Sequence, residues 1–179
     1  NGKTVLQGAS PLGHRKGEQV FDKRLSIRDD PILEYRPGSR FCDDEGVPSQ
    51  RTPIIDKGVV ANFLYDLQTA ALAGTKSTGS ASRSLASLPS PSLSAIVIEE
   101  GDTSFDEMLA GIKDGLVVEE LMGASMGNVL GGDFSGNVLL GYRVKNGKLA
   151  GRVKDTMVTG NIYEALKEVV AVGNKARWV

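Results

Sequence analysis

Short apolar runs alternate with polar ones along this chain, and their period changes several times. Residues 19–28, QVFDKRLSIR, set Val20, Asp22, Arg24 and Ser26 against Phe21, Leu25 and Ile27 at roughly period two, which predicts a strand. TPIID and VVANFLYD flank Lys57-Gly58 and predict a hairpin with a two-residue turn. LQTAALAG predicts a short helix stopped at Gly74. LSAIVIEE predicts a buried strand. Ser104-x-x-Glu107 then forms a capping box, opening a helix with Phe105, Met108, Leu109 and Ile112 on one face. LVVEEL, after Gly115, predicts another strand. NVLLGYRVK and KLAGRVK, joined through Asn146-Gly147, predict a second hairpin. A last helix is expected from about Asn161, striped by Ile162, Leu166, Val169 and Val170.

Three polar or Gly-rich stretches separate these elements. YRPGSRFCDDEGVPSQRT carries turn dipeptides. Residues 75–92, TKSTGSASRSLASLPSPS, form a Ser/Gly/Pro-rich segment that cannot build a core, so a loop or mobile flap is expected there. MGASMGNVLGGDFSG is the third. The pattern as a whole predicts an α+β fold, mostly antiparallel β-sheet and hairpins with two or three short helices, without an internal repeat of solenoid length.

Composition narrows the function classes. At 179 residues the chain is long enough to bury a core, as one domain or two tightly joined halves. A net charge of −1 gives no global attraction to nucleic acid or acidic membranes. The single cysteine, Cys42, excludes an intrachain disulfide and suggests a reducing compartment. No apolar run approaches the roughly 20 residues of a membrane span. The chain opens on Asn1 in mid-pattern, without a signal-peptide layout, so a fragment of a longer protein is expected.

Candidate chemistry is sparse. GASMG, residues 123–127, matches G-x-S-x-G, but a nucleophile elbow needs a helix after Ser125 and a histidine downstream. The only histidine, His14, lies upstream, and glycines follow Ser125, so Ser125 is read as a turn residue. One His and one Cys cannot furnish a conventional zinc site. Asp43, Asp44 and Glu45 could hold a hard cation, although acids before Gly46 more often close a turn. Gly131-Gly132 resembles a phosphate nest, without a P-loop or dinucleotide fingerprint. Arg15-Lys16, Lys23-Arg24 and Arg40 alternate with acids and predict a solvated face. Cys42 sits beside two acids that disfavour its thiolate. Tyr65 and Trp178 are read as packing residues.

The order of motifs is more specific than any one of them. DDEGVPSQR (43–51), STGSASR (77–83), GDFS (132–135), KNGK (145–148) and TGN (159–161) succeed one another across nearly the whole chain. In this order the sequence resembles the C-terminal half of the TldD/PmbA family, the modulators of DNA gyrase. SPLGHRKGEQVFD and GNVLGGDFS resemble the PmbA (TldE) branch most. The resemblance implies an α+β fold with intertwined, β-rich halves. It also implies a cytoplasmic metallopeptidase system in which a zinc-bearing subunit pairs with a related zinc-free one and cleaves small or unfolded peptides.

The family's zinc signature, H-E-x-x-x-H with a late cysteine, has no counterpart here. Its helix would lie before Asn1 and its cysteine after Val179, and Cys42 does not match. The resemblance therefore implies no catalytic residue and no metal ligand in this chain, zinc belonging to a partner or a missing segment. It implies a TldD-like subunit or a second copy as partner, with no membrane and no nucleic acid. Candidate cleft or motif residues are Asp43, Asp44, Glu45, Gly46, Gly131, Gly132, Asp133, Phe134 and Ser135. The alternative is a non-catalytic binding module that modulates DNA gyrase or another macromolecule.

Overall fold

A computed structural model describes residues 1–178. The architecture is α+β, with antiparallel sheets and short helices, as the periodicities predict. The chain divides into two compact units, Asn1–Glu99 and Glu100–Val179. No helix among the described residues is long and apolar enough to cross a membrane.

The first unit contains α1 (Gly2–Leu6), β1 (Ile27–Asp29), β2 (Thr52–Asp56), β3 (Val59–Val60), α2 (Leu67–Leu72), β4 (Ala81–Ser82), β5 (Ser90–Pro91) and β6 (Ile96–Ile98). Four strands form an antiparallel sheet in the order β3-β2-β1-β6, and β4 pairs with β5 separately. Val20, Phe21, Leu25, Ile55, Val60, Phe63 and Leu64 are buried and supply most of the core. The β2–β3 turn is the predicted one, with Lys57 and Gly58 both at positive φ (47° and 78°). Gly58 is required for a second reason: a Cβ there would lie 2.3 Å from the carbonyl oxygen of Phe21.

Several expectations for this unit need correction. Of residues 19–28 only the end reaches a strand. Asp22 accepts from the Arg24 amide (2.9 Å) and its carbonyl from the Leu25 amide (3.0 Å), a local turn that outcompetes the ladder. Phe63 and Leu64 are buried without being in a strand. β6 is not buried: as the last strand of its sheet it leaves Ile96 57% and Ile98 56% exposed. The 75–92 segment is anchored rather than loose along its first half. Ser80 and Ala81 are buried, and β4 pairs with β5.

The second unit contains α3 (Phe105–Ala110), β7 (Asp114–Met122), a 3-10 turn (Ala124–Met126), β8 (Asp133–Lys145), β9 (Lys148–Arg152), β10 (Met157–Asn161) and α4 (Ile162–Ala165). β8, with 13 residues, organises it: β7 pairs along one edge, while β9 and β10 share the other. The predicted capping box closes α3, Ser104 and Glu107 each accepting from the other's amide (2.9 and 3.3 Å). The terminal helix is a single turn. Its valine stripe is not helical, because the chain beyond it pairs in extended form with residues 101–103 through the carbonyls of Val172 and Gly173. β-branched residues favour that conformation.

Replacing Gly58 by Ala is expected to cost roughly 2–4 kcal/mol, combining left-handed backbone strain with the Phe21 contact. Gly46 has a similar φ (78°) but open space around its Cβ position, so Gly46→Ala should cost only about 1–2 kcal/mol. Urea denaturation of the two variants measures the difference.

Candidate functional site

The nine residues singled out by sequence fall into two clusters, one in each unit. In the first, Asp43 is almost fully buried and spends both carboxylate oxygens on backbone amides. Oδ1 accepts from Glu45 (3.0 Å) and Val47 (2.9 Å), and Oδ2 from Ala81 (2.9 Å). The Asp43 carbonyl receives the Gly46 amide at 3.0 Å, closing the turn. Asp44 accepts from the Arg83 amide (2.8 Å), and Glu45 from the amide of Leu67, the first residue of α2 (2.8 Å). A carboxylate there complements the positive end of the helix. The acidic run is thus a turn and also a clamp on two distant segments.

Asp30 is the buried acid that sequence reasoning missed. It is 0% exposed, and its Oδ2 accepts from Arg28 Nε (3.0 Å) and Arg51 Nε (2.7 Å). Arg51 ends the DDEGVPSQR motif, so this ion pair gives that arginine its place. Asp66 caps α2 through Thr69 (2.6 Å), and Asp29 accepts from the Ser94 and Ala95 amides (2.9 and 2.8 Å). An Asp directly before LQTAAL is a local N-cap signal that could have found Asp66; Asp29 offers none, since its partners lie 65 and 66 residues away, and Asp30 has only Arg28 close by, its other partner Arg51 lying 21 residues on. Arg15 pairs with Glu18 and Arg24 with Asp22, which leaves no uniform basic patch there. His14 and Cys42 are exposed, while the Tyr65 ring packs so closely on Gly2 that no Cβ would fit between them.

The second cluster is built on the glycine-rich loop between β7 and β8. Asn161 ties it together. Its Nδ2 donates to Gly131 O (2.7 Å) and Asp133 Oδ1 (2.9 Å), while its Oδ1 accepts from the Tyr163 amide (3.0 Å) and caps α4. Tyr163 Oη donates to Leu130 O (3.3 Å). Gly132 has φ 84°, and a Cβ there would sit 2.4 Å from the Tyr163 ring, so the loop closes only around glycine. The Asn161 and Tyr163 contacts were not foreseen, although the TGN motif contains the first.

This closure leaves a concavity of about 350 Å³ lined by Leu121, Ser125, Val129, Asp133, Phe134 and Ile162. Gly132, Asp133 and Phe134 therefore meet Ser125 at one place. Ser135 does not join them: on a strand its side chain faces the other way, where Oγ donates to Met157 Sδ at 3.4 Å. Ser125 occupies a single 3-10 turn with no helix after it, and its unit contains no histidine. The elbow geometry is absent.

Comparison with known proteins places this geometry in a family. The profile described as the PmbA/TldA metallopeptidase C-terminal domain matches residues 1–179. An uncharacterized protein of Methanocaldococcus jannaschii is 34% identical over 172 residues, covering 96% of this chain and 40% of its own. The structure of TldE from Thermococcus kodakarensis superposes with a TM-score of 0.88 at 27% identity, over 98% of this chain and 40% of that one. A Thermotoga maritima protein described as a candidate modulator of a DNA gyrase gives 0.85 at 33% identity, over 97% and 39%. Relatives named as metalloprotease homologues of TldD and of PmbA also match. The chain spans well under half the length of these proteins.

Substitutions at Asp43 and Asn161 test the two clusters. Asp43→Ala strands three amides and should cost about 3 kcal/mol or more, with faster tryptic cleavage after Arg83 as the 81–83 segment loosens. Asp43→Asn, which keeps one acceptor oxygen, should fall between. Asn161→Ala should accelerate amide hydrogen exchange over residues 128–133 while leaving β1 and β2 unchanged.

Proposed function

This chain belongs to the PmbA/TldD metallopeptidase family, and from that premise we propose that it serves as the zinc-free, PmbA-like component of a cytoplasmic peptidase system. It pairs with a zinc-bearing TldD-like subunit, or with a second copy, and helps to form a cleft for small or unfolded peptides. Zinc needs three or four His, Cys or carboxylate donors. This chain has one His and one Cys, and no group of three such side chains gathers among the described residues, so its donor set does not fit the ion. Bond cleavage is therefore assigned to zinc held outside these residues, by a partner or by another segment, and positioning of the peptide to this chain.

The observation that carries the reading is the edge of the second sheet. β7 runs for nine residues and, among the described strands, pairs with β8 alone. An unpaired edge of this length holds an extended chain through main-chain hydrogen bonds, which recognise an unfolded backbone with little regard to sequence. The closeness of the TldE structure supports the branch. Co-purification with a TldD-type subunit, followed by peptide cleavage with and without chelator, tests the proposal. Association and chelator-sensitive cleavage that needs both chains are expected. Lack of association, or cleavage that survives the chelator, would overturn it.

A further inference from the structure

We propose that the β8–β9 hairpin is a docking surface for acidic segments of an unfolded peptide, which pair with the free edge of β9 and meet the lysines around its turn. The inference rests on the reading of this chain as a peptide-binding subunit. Residues 142–154 carry Arg143, Lys145, Lys148, Arg152 and Lys154 and no acid, in a chain whose net charge is −1. Lys113 joins them from outside the hairpin, because the Asn146 amide at the turn donates to its carbonyl oxygen (2.7 Å). All six residues are exposed.

Two acids border this run. Asp155 follows Lys154, and Asp114 faces Lys145 across the ladder, but both carboxylate oxygens of Asp114 are taken by Arg143 (3.2 and 2.9 Å). Lys113, Lys145, Lys148 and Lys154 make no ion pair among the described residues. Lys145 and Lys148 stand directly opposite each other, an arrangement that destabilises a strand pair. Lysines on an edge strand also deter edge-to-edge pairing, but that role calls for them on β9 alone, and Lys113 and Lys145 lie off that strand. The hairpin thus keeps a cluster of like charge that an anionic partner relieves.

The free edge sets the chemistry of that partner. All five residues of β9 are exposed, and among the described strands it pairs with β8 alone. Its outer amides and carbonyls match those of an extended peptide, and a phosphate backbone offers no such groups. Both arginines are partly engaged, Arg143 with Asp114 and Arg152 with the Leu139 carbonyl (3.1 Å). No aromatic residue lies between 143 and 154 to stack on a base. An acidic peptide therefore fits this surface better than a nucleic acid. The opposite edge of the sheet has the opposite charge: β7 carries Asp114, Glu119 and Glu120 and no base, so acidic segments are directed to β9.

NMR titration of the chain with acetylated hexapeptide amides in which Glu, Gln or Lys alternates with Thr tests this, alongside a single-stranded oligothymidylate. Affinity is read at the amides of residues 145–152. At low salt the Glu peptide should bind about tenfold more tightly than the Gln peptide, the gain expected from about two or three exposed ion pairs, and the Lys peptide should bind least. The advantage should fade as salt shortens the Debye length from roughly 30 Å at 0.01 M to roughly 3 Å at 1 M. Lys148→Glu replaces a like-charge pair by an opposite one, so its urea midpoint should rise, yet its preference for the Glu peptide should fall by about threefold or more. Equal affinity for the three peptides, tighter binding of the oligothymidylate at the same amides, shifts confined to other residues, or an unchanged preference in Lys148→Glu would overturn the proposal. The peptide comparison on the unmodified chain stands whether or not the variant folds. The titration needs neither zinc nor a second subunit, so its failure leaves the subunit assignment intact. Failure of chelator-sensitive cleavage, with the titration as expected, would count against that assignment alone.

Discussion

The carboxylate of Asp43, buried and surrounded by three amide donors, shows the constraint under which the whole first unit folds. Its longest strand has five residues, so most of its backbone lies outside any ladder. A backbone N–H that leaves water without a partner is costly, and in a loop-rich unit the partner must come from side chains. Asp29, Asp43 and Asp66 meet that need: Asp43 accepts from Ala81, 38 residues away, Asp29 from Ser94 and Ala95 just before β6, and Asp66 from Thr69 at the start of α2. Burying so many acids would otherwise be a liability. Here the charge is balanced by oriented N–H dipoles, or, for Asp30, by two guanidinium groups.

The second unit meets the same requirement differently. One 13-residue strand supplies ladder partners on both edges, and few side chains are called upon to satisfy backbone. Its fully buried apolar set is correspondingly thin, Val138 and Val144, while Leu116, Val118, Met122 and Met157 remain exposed. Polar side-chain bonding concentrates where the ladder ends, at the loop held by Asn161.

What was legible in the sequence was local. The turns at Lys57-Gly58 and Asn146-Gly147, the Ser104 capping box and the stop at Gly74 all depend on residues within four positions of each other. All appear in the structure. The α+β class followed from these. What was not legible depended on distant partners. Residues 75–92 read as featureless because serine and glycine carry no period, yet the Asp43 and Asp44 carboxylates grip residues 81 and 83 from 38 and 39 positions away. Val169 and Val170 fit a helical stripe, but the helix ends before them and the chain just beyond, at residues 172–174, pairs in extended form with residues 101–103. For the candidate site, the GDFS run pointed to the right loop, but side-chain alternation on β8 separates Phe134 from Ser135. In the sequence Asn161 marks only the start of the last helix and the end of the TGN motif; its hold on the loop depends on partners at 131 and 133.

The clamp at residues 43–45 bears on how such a family can diverge. Asp43, Asp44 and Glu45 grip the main chain of Ala81, Arg83 and Leu67, and a main-chain amide is the same whatever side chain it carries. Mutations at those three partner positions to any residue but proline keep the amide that is gripped, whereas mutation of the acids removes the grip. The contact therefore holds one side to a fixed identity and sets no such demand on the other. Pairs joined in this way are under no pressure to change in concert, so correlated substitution, the usual signature of two segments touching, is not expected at the junction that organises this unit.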